Sequence, residues 1–227
     1  MALILCIETS TTQCSVALAR EGELLGLKEE NSSQYMHSEW LHVFIETLLK
    51  DCGVSFDELT AVAVGMGPGS YTGLRIGVST AKGLCFAQDL KLIALPTLDI
   101  LAHQVNEVEG VLIPLLDARR MEVYSKVLDS THNEIRTTEA EVISSDSFHD
   151  YRKEEHLHLI GPGAEKCQEI LGEDGISYYP DLLPSAAQMI GLAQAKFSAG
   201  EFEDVAYFEP YYLKDFVLQK PKAKPKN

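Results

Sequence analysis

The segment Gly65-Met-Gly-Pro-Gly-Ser-Tyr-Thr-Gly-Leu-Arg-Ile-Gly77 carries the densest local chemistry of the sequence. Glycine opens backbone angles closed to other residues and leaves room for close approach. Placed after a strand and before a helix, such a loop serves one of two ends. It is an anion site built from amides and a helix N-terminus, or it is a tight structural turn. Ser70 or Thr72 caps the helix in either case. No Gly-Lys-Ser/Thr stands at P-loop spacing, and the dinucleotide fingerprint is not matched. The second candidate is the polar run Glu8-Thr-Ser-Thr-Thr-Gln13. Its hydroxyls suit a phosphate and its carboxylate suits Mg²⁺ held through water, or the side chains bond their own backbone in a plain turn.

Other chemistries find less material. The histidines stand at 37, 42, 103, 132, 149, 156 and 158, and no two are four apart. No helix therefore presents the H-x-x-x-H pair of a common metal site. His37 and His42 diverge by about 140° around a helix, while His156 and His158 can share one side of a strand. The five cysteines (Cys6, Cys14, Cys52, Cys85, Cys167) form no C-x-x-C pair, which argues against a disulfide framework and a zinc site. No G-x-S-x-G elbow is present.

The elements that position these residues follow from periodicity. Apolar runs at 3–7 and 14–19, then Glu23 to Glu29, predict an antiparallel meander. A helix is expected from Ser38 to Cys52, where Trp40, Leu41, Phe44, Ile45, Leu48 and Leu49 recur at spacings of three and four. Ala61 to Val64 reads as a buried strand, Thr72 to Gln88 as a helix, Lys91 to Leu95 as a strand and Leu98 to Asn106 as a helix. The second half echoes the first. Strands are expected at Val111–Leu116, Glu122–Leu128 and His156–Ile160, then Gly161-Pro-Gly163 and helices at Ala164–Leu171 and Ser185–Ala199. A hairpin followed by strand, Gly-Pro-Gly and helix thus occurs twice, which suggests a duplication whose second copy is reduced.

The helix after the glycine loop is rich in small residues. Each interior glycine costs about 1 kcal/mol relative to alanine, so Gly73, Gly77 and Gly83 point to a neighbour that packs closely. Leu74, Val78, Ala81 and Cys85 form one apolar stripe beside them.

Composition sets outer bounds. Of 227 residues, 45% are hydrophobic, enough for a substantial core, and no run approaches the roughly 20 apolar residues of a membrane span. The opening Met1-Ala-Leu-Ile-Leu-Cys-Ile7 lacks a basic leader and reads as a first strand, not a signal peptide. Reduced thiols and no export signal lead to the expectation of a cytoplasmic protein. The net charge is −15, and four of the 19 basic residues (Lys220, Lys222, Lys224, Lys226) lie beyond Phe216. Gripping a phosphate backbone takes clustered Lys and Arg, so the acidic body is not expected to be the main grip on RNA. Residues 217–227, alternating Lys and Pro, read as a disordered tail.

Several of these stretches together resemble the TsaB (YeaZ) family. They are Ile4-Leu-Cys-Ile-Glu-Thr-Ser10, Cys14-Ser-Val-Ala-Leu18, His37-Ser-Glu39, Ala61-Val-Ala-Val-Gly65, Asp117-Ala-Arg119 and Pro210-Tyr-Tyr-Leu-Lys214. The most specific is Gly67-Pro-Gly-Ser-Tyr-Thr-Gly-Leu-Arg-Ile-Gly77 with Ala81-Lys-Gly83. Glu8 stands where many members have Asp, and Tyr71 where many have Phe. The resemblance implies an α/β fold of two actin-like (RNase H-like) lobes with mixed sheets, here expected at 1–106 and, reduced, at 107–216. It implies a non-catalytic partner subunit in threonylcarbamoylation of the adenosine beside the tRNA anticodon. The partners it implies are the paralogue TsaD, which carries the metal, and the ATPase TsaE, with tRNA engaged indirectly. No cofactor is implied for the isolated chain, and whether ATP or ADP is shared with TsaD stays open. The free chain is expected to be a homodimer. The partner interface is expected at Trp40, Leu41, Phe44, Leu74, Gly77, Val78, Ala81 and Cys85. An ATP-using phosphotransferase of actin-like fold is the alternative; a metallopeptidase fails for want of ligands.

Overall fold

The computed structural model describes residues 1–32, 36–153 and 155–214. Two five-stranded mixed sheets are each built by the same path. In the first, β1 (Leu3–Glu8), β2 (Gln13–Arg20) and β3 (Glu23–Asn31) form an antiparallel meander. The chain then passes through α1 (His37–Asp51) to β4 (Ala61–Gly67), which pairs parallel with β1. From β4, α2 (Tyr71–Gln88) leads to β5 (Lys91–Pro96), parallel to β4. The strand order is β3-β2-β1-β4-β5. α3 (Thr97–Ala102) then carries the chain toward the second sheet.

The second sheet repeats this connectivity. β6 (Val111–Asp117), β7 (Glu122–Leu128) and β8 (Glu134–Val142) make the meander; β9 (Leu157–Ile160) and β10 (Ile176–Tyr179) add in parallel. The order is β10-β9-β6-β7-β8, the same arrangement. Its helices are cut down: α4 (His149–Arg152) stands where the first copy has α1, and α5 (Ala164–Leu171) where it has α2. The expected echo of the two halves, with a reduced second copy, is thus present in the topology.

Burial explains why the first sheet is so apolar. Every residue of β1 is buried, because successive side chains point to opposite faces and both faces are covered. Leu3, Leu5 and Ile7 pack with Leu41, Leu48, Val78 and Ala81 from α1 and α2. Ile4 and Cys6 face the other way, with Ala17, Ala61, Ala63 and Met189, Ile190 and Ala193 of α6 (Met189–Ala199). The chain expected to complete the second lobe also packs on the first sheet. The sheet of residues 111–179 is its own layer, but α6 returns to cover β1, β4 and β5, and Glu203 bridges to Leu92 of β5. The physical reason is the alanine-lined face of the first sheet, which needs a cover and which neither α1 nor α2 reaches. The tail expected at 217–227 lies outside the described residues.

Candidate functional site

The two polar candidates of the sequence, the β1–β2 turn and the glycine loop after β4, meet in one corner. Glu8, Thr9 and Ser10 are all at most 2% exposed. The Ser10 carbonyl accepts from the Ser70 amide at 2.7 Å. The Thr9 hydroxyl donates to the Gly73 carbonyl at 2.8 Å. A Cβ on Gly73 would overlap the Thr9 carbonyl oxygen, and one on Gly77 would overlap the Thr9 hydroxyl. These two glycines exist because the turn lies directly on α2. Ser70 caps the helix as expected, its side chain accepting from the Gly73 amide. His37 at the start of α1 closes the corner, its Nε2 2.7 Å from the Thr11 carbonyl oxygen. Burial lowers the pKa of its ring, which favours the neutral form.

The corner's chemistry is self-directed. Ser10, Ser70 and Gly73 aim their amides at Glu8, Ser10 and Ser70 of the chain itself. Burial pushes the Glu8 carboxyl up, against the hydrogen bonds from Ser10 and Thr9 that pull it down. Its Oε2 has no partner among the described residues, and a Cβ on Gly65 would overlap it. The Ser10, Ser70 and Gly73 amides are taken up by the chain and protein fills the space beside Gly65, Gly69, Gly73 and Gly77, which leaves little room for a phosphate; the Ser10 hydroxyl, like Glu8 Oε2, has no partner among the described residues. Of the two readings left open for each segment, the geometry matches the structural turn.

Histidines and cysteines fall into structural places. His37 is buried and His42 exposed. His156, just before β9, and His158 within it have rings 5.0 Å apart, but they bond respectively to Ser177 and to Tyr179 and the Glu109 carbonyl. Among the described residues no three His, Cys, Asp or Glu side chains gather as a metal site would. Cys6, Cys14, Cys85 and Cys167 are buried and Cys52 half-buried, all unpaired. Burial pushes the Cys6, Cys14 and Cys167 thiols up to about 12, far from a nucleophile's range.

The expected partner residues divide. Leu41, Leu74, Gly77, Val78, Ala81 and Cys85 are buried inside the first lobe, where their neighbours belong to the same chain. Trp40 and Phe44 remain half-exposed on α1, rings stacked at 6.0 Å. The outward sides of the same helices carry what the sequence reading missed. Val43 is 56% exposed and Phe86 is 87% exposed. Gly83 has nothing within 4 Å of a notional Cβ. Lys82, Gly83, Phe86, Asp204, Val205 and Ala206 line an open groove of about 740 Å³. The available signal was position: Phe86 sits one residue, roughly 100°, off the buried stripe that ends at Cys85.

Paired meander-and-crossover sheets of identical order, with a first-lobe turn packed shut, define a two-lobed actin-like protein. Comparison with known proteins narrows this. Residues 29–220 match the family model of TsaD, tRNA N6-adenosine threonylcarbamoyltransferase. The tRNA threonylcarbamoyladenosine biosynthesis protein TsaB of Escherichia coli (strain K12) is 30% identical over 226 residues, covering 96% of both chains. That of Bacillus subtilis (strain 168) is 36% identical over 127 residues, 54% of this chain and 53% of its own. The structure of YeaZ from Pseudomonas aeruginosa superposes with a TM-score of 0.83 at 26% identity, over 94% of this chain and 100% of that one. The chain belongs to the TsaB family, related through the shared family model to the transferase TsaD.

Proposed function

We propose that this chain is a non-catalytic partner subunit in tRNA threonylcarbamoyladenosine biosynthesis. It works in the cytoplasm beside a TsaD-type transferase and a TsaE-type ATPase. The observation that carries the reading is the filled corner. Where the two polar segments meet, Glu8, Thr9 and Ser10 are buried, the Thr9 hydroxyl donates to the Gly73 carbonyl and the Ser10 amide to Glu8, and protein fills the space beside the loop glycines. A phosphotransferase needs donors aimed at a phosphate, and here the Thr9 hydroxyl and the Ser10, Ser70 and Gly73 amides are aimed at protein.

The role left for the first lobe is docking. The outward face of α1 presents Val43 with the half-exposed Trp40 and Phe44, and that of α2 presents Gly83 and Phe86. Gly83 supports this: unlike Gly73 and Gly77, its cost in helix stability is matched by no close neighbour within the chain. A helix of another chain approaching there would restore the balance. The paralogue has the matching helices by descent, which supports a paired-helix contact with it and the same contact in a homodimer.

The test is association measured by sedimentation of the chain with the TsaD-type paralogue. Val43→Glu with Phe86→Glu is expected to weaken it about thirtyfold or more, as for loss of a hot spot worth roughly 2 kcal/mol, with an unchanged melting curve. Full association by that variant would overturn the docking face.

A further inference from the structure

The turn between β6 and β7 is built in an unusual way for its composition. Arg119 and Arg120 both adopt left-handed backbone angles, φ 71° and 54°. Two consecutive non-glycine residues in that region are strained. The strain is held by a frame. The Arg119 amide donates to Asp117 at 2.7 Å, and Lys166 of α5 donates to Asp117 at 2.6 Å and to the Arg120 carbonyl at 3.0 Å. Lys214 pairs with Glu122 at the other end of the turn and lies over the Tyr124 ring. Each local carboxylate, Asp117 and Glu122, therefore has a lysine partner. The two guanidiniums do not. Both arginines are exposed, and neither side chain makes a hydrogen bond or ion pair among the described residues.

We infer that this turn is a contact for the phosphodiester backbone of RNA. The inference rests on the tRNA-modification role proposed above, which supplies the polyanion. On a chain of net charge −15, most of the surface repels a nucleic acid. A framed loop that projects two unpaired guanidiniums is the place where it is drawn in, because Arg presents a planar fork matched to phosphate oxygens. Lys214 marks the same rim, and the sequence after it carries Lys220, Lys222, Lys224 and Lys226.

Binding of unmodified tRNA to the full chain, alone and with the TsaD-type paralogue, tests this across 50 to 200 mM salt. The comparison is wild type with Arg119→Gln/Arg120→Gln, with Arg119→Lys/Arg120→Lys, and with Arg20→Gln/Lys50→Gln as a remote control. Loss of two phosphate contacts should flatten the slope of log K against log salt by about 1.4 to 1.8. The lysine pair should keep most of the slope, and the remote pair should keep all of it. An unchanged slope in the glutamine pair, or no tRNA binding by the wild type in either setting, overturns the inference. So does displacement of tRNA by millimolar ATP that the glutamine pair abolishes, since that marks a mononucleotide site. A flattened slope in the glutamine pair, together with a wild type that fails to support modification, would sink the proposed function and leave the turn standing. Full support of modification with an unchanged slope would do the reverse.

Discussion

A methyl group on Gly73 would collide with the backbone of the β1–β2 turn, because the Thr9 carbonyl already occupies that space. Gly83, ten residues along the same helix, faces open space. One substitution, glycine to alanine, should therefore act in opposite directions at the two sites. Gly73→Ala is expected to destabilise the chain by about 1–3 kcal/mol through overpacking. Gly83→Ala should stabilise the free chain by about 1 kcal/mol through helix propensity. Urea midpoints of the two variants check both signs. Glu8 supplies a second residue-scale test. Its ordinary carboxyl value is 4.5, and burial raises it in the folded chain. The folded state then keeps a proton that the unfolded state has released. Glu8's contribution to stability is full below its unfolded value and is lost as pH rises through the folded one. Glu8→Gln, which cannot ionise, should gain on the wild type from about pH 4.5 upward. A difference in urea midpoint that stays constant from pH 4 to pH 8 would contradict this.

At the scale of elements, α1 and α2 each have two jobs on two faces. Their inner faces complete the core of the first lobe with Leu41, Leu48, Val78 and Ala81, and their outer faces carry Val43 and Phe86. Ala81→Trp should accordingly lower the melting temperature of the chain by itself, since Ala81 is fully buried against its own lobe. A variant that melts like the wild type while losing association would restore Ala81 to the interface. The helices and the strands of the first sheet were legible in the sequence because their apolar spacing is regular and their ends carry glycine or proline. Which face of α2 is left for a partner under the proposed docking role was not legible. Periodicity marks an apolar stripe, and the sheet of the same chain is the first neighbour to claim it. β8 and β10 were missed for a different reason. β8 is an edge strand with mostly exposed, charged residues, and β10 has four residues; neither alternates clearly until its partner strand is in place. The helix expected from Ser185 starts at Met189, and the one expected to reach Asn106 stops at Ala102. Helix ends depend on capping contacts more than on periodicity.

Across the whole molecule, duplication set two sheets of one design side by side, and the C-terminal segment ties them. α6 covers the first sheet, the Tyr211 amide donates to Met66 beside the glycine loop at 2.8 Å, and Lys214 pairs with Glu122 of the second. Such a chain has the frame of an actin-like protein, while its first-lobe corner is sealed from within. That frame was readable from the repeated hairpin, strand, Gly-Pro-Gly and helix. The return of α6 was not, because it depends on which sheet face lacks a cover. The central claim is that the first-lobe corner supplies structure and the complex supplies chemistry. Its most direct test is the rate of tRNA threonylcarbamoylation in a reconstituted mixture of this chain with TsaD-type and TsaE-type proteins, ATP and the threonylcarbamoyl donor. The expected result is no modification by this chain alone, saturation when it reaches equimolarity with the paralogue, and an undiminished rate with Glu8→Gln. Turnover by the isolated chain, or loss of the reconstituted rate in a folded and fully associated Glu8→Gln complex, would contradict it.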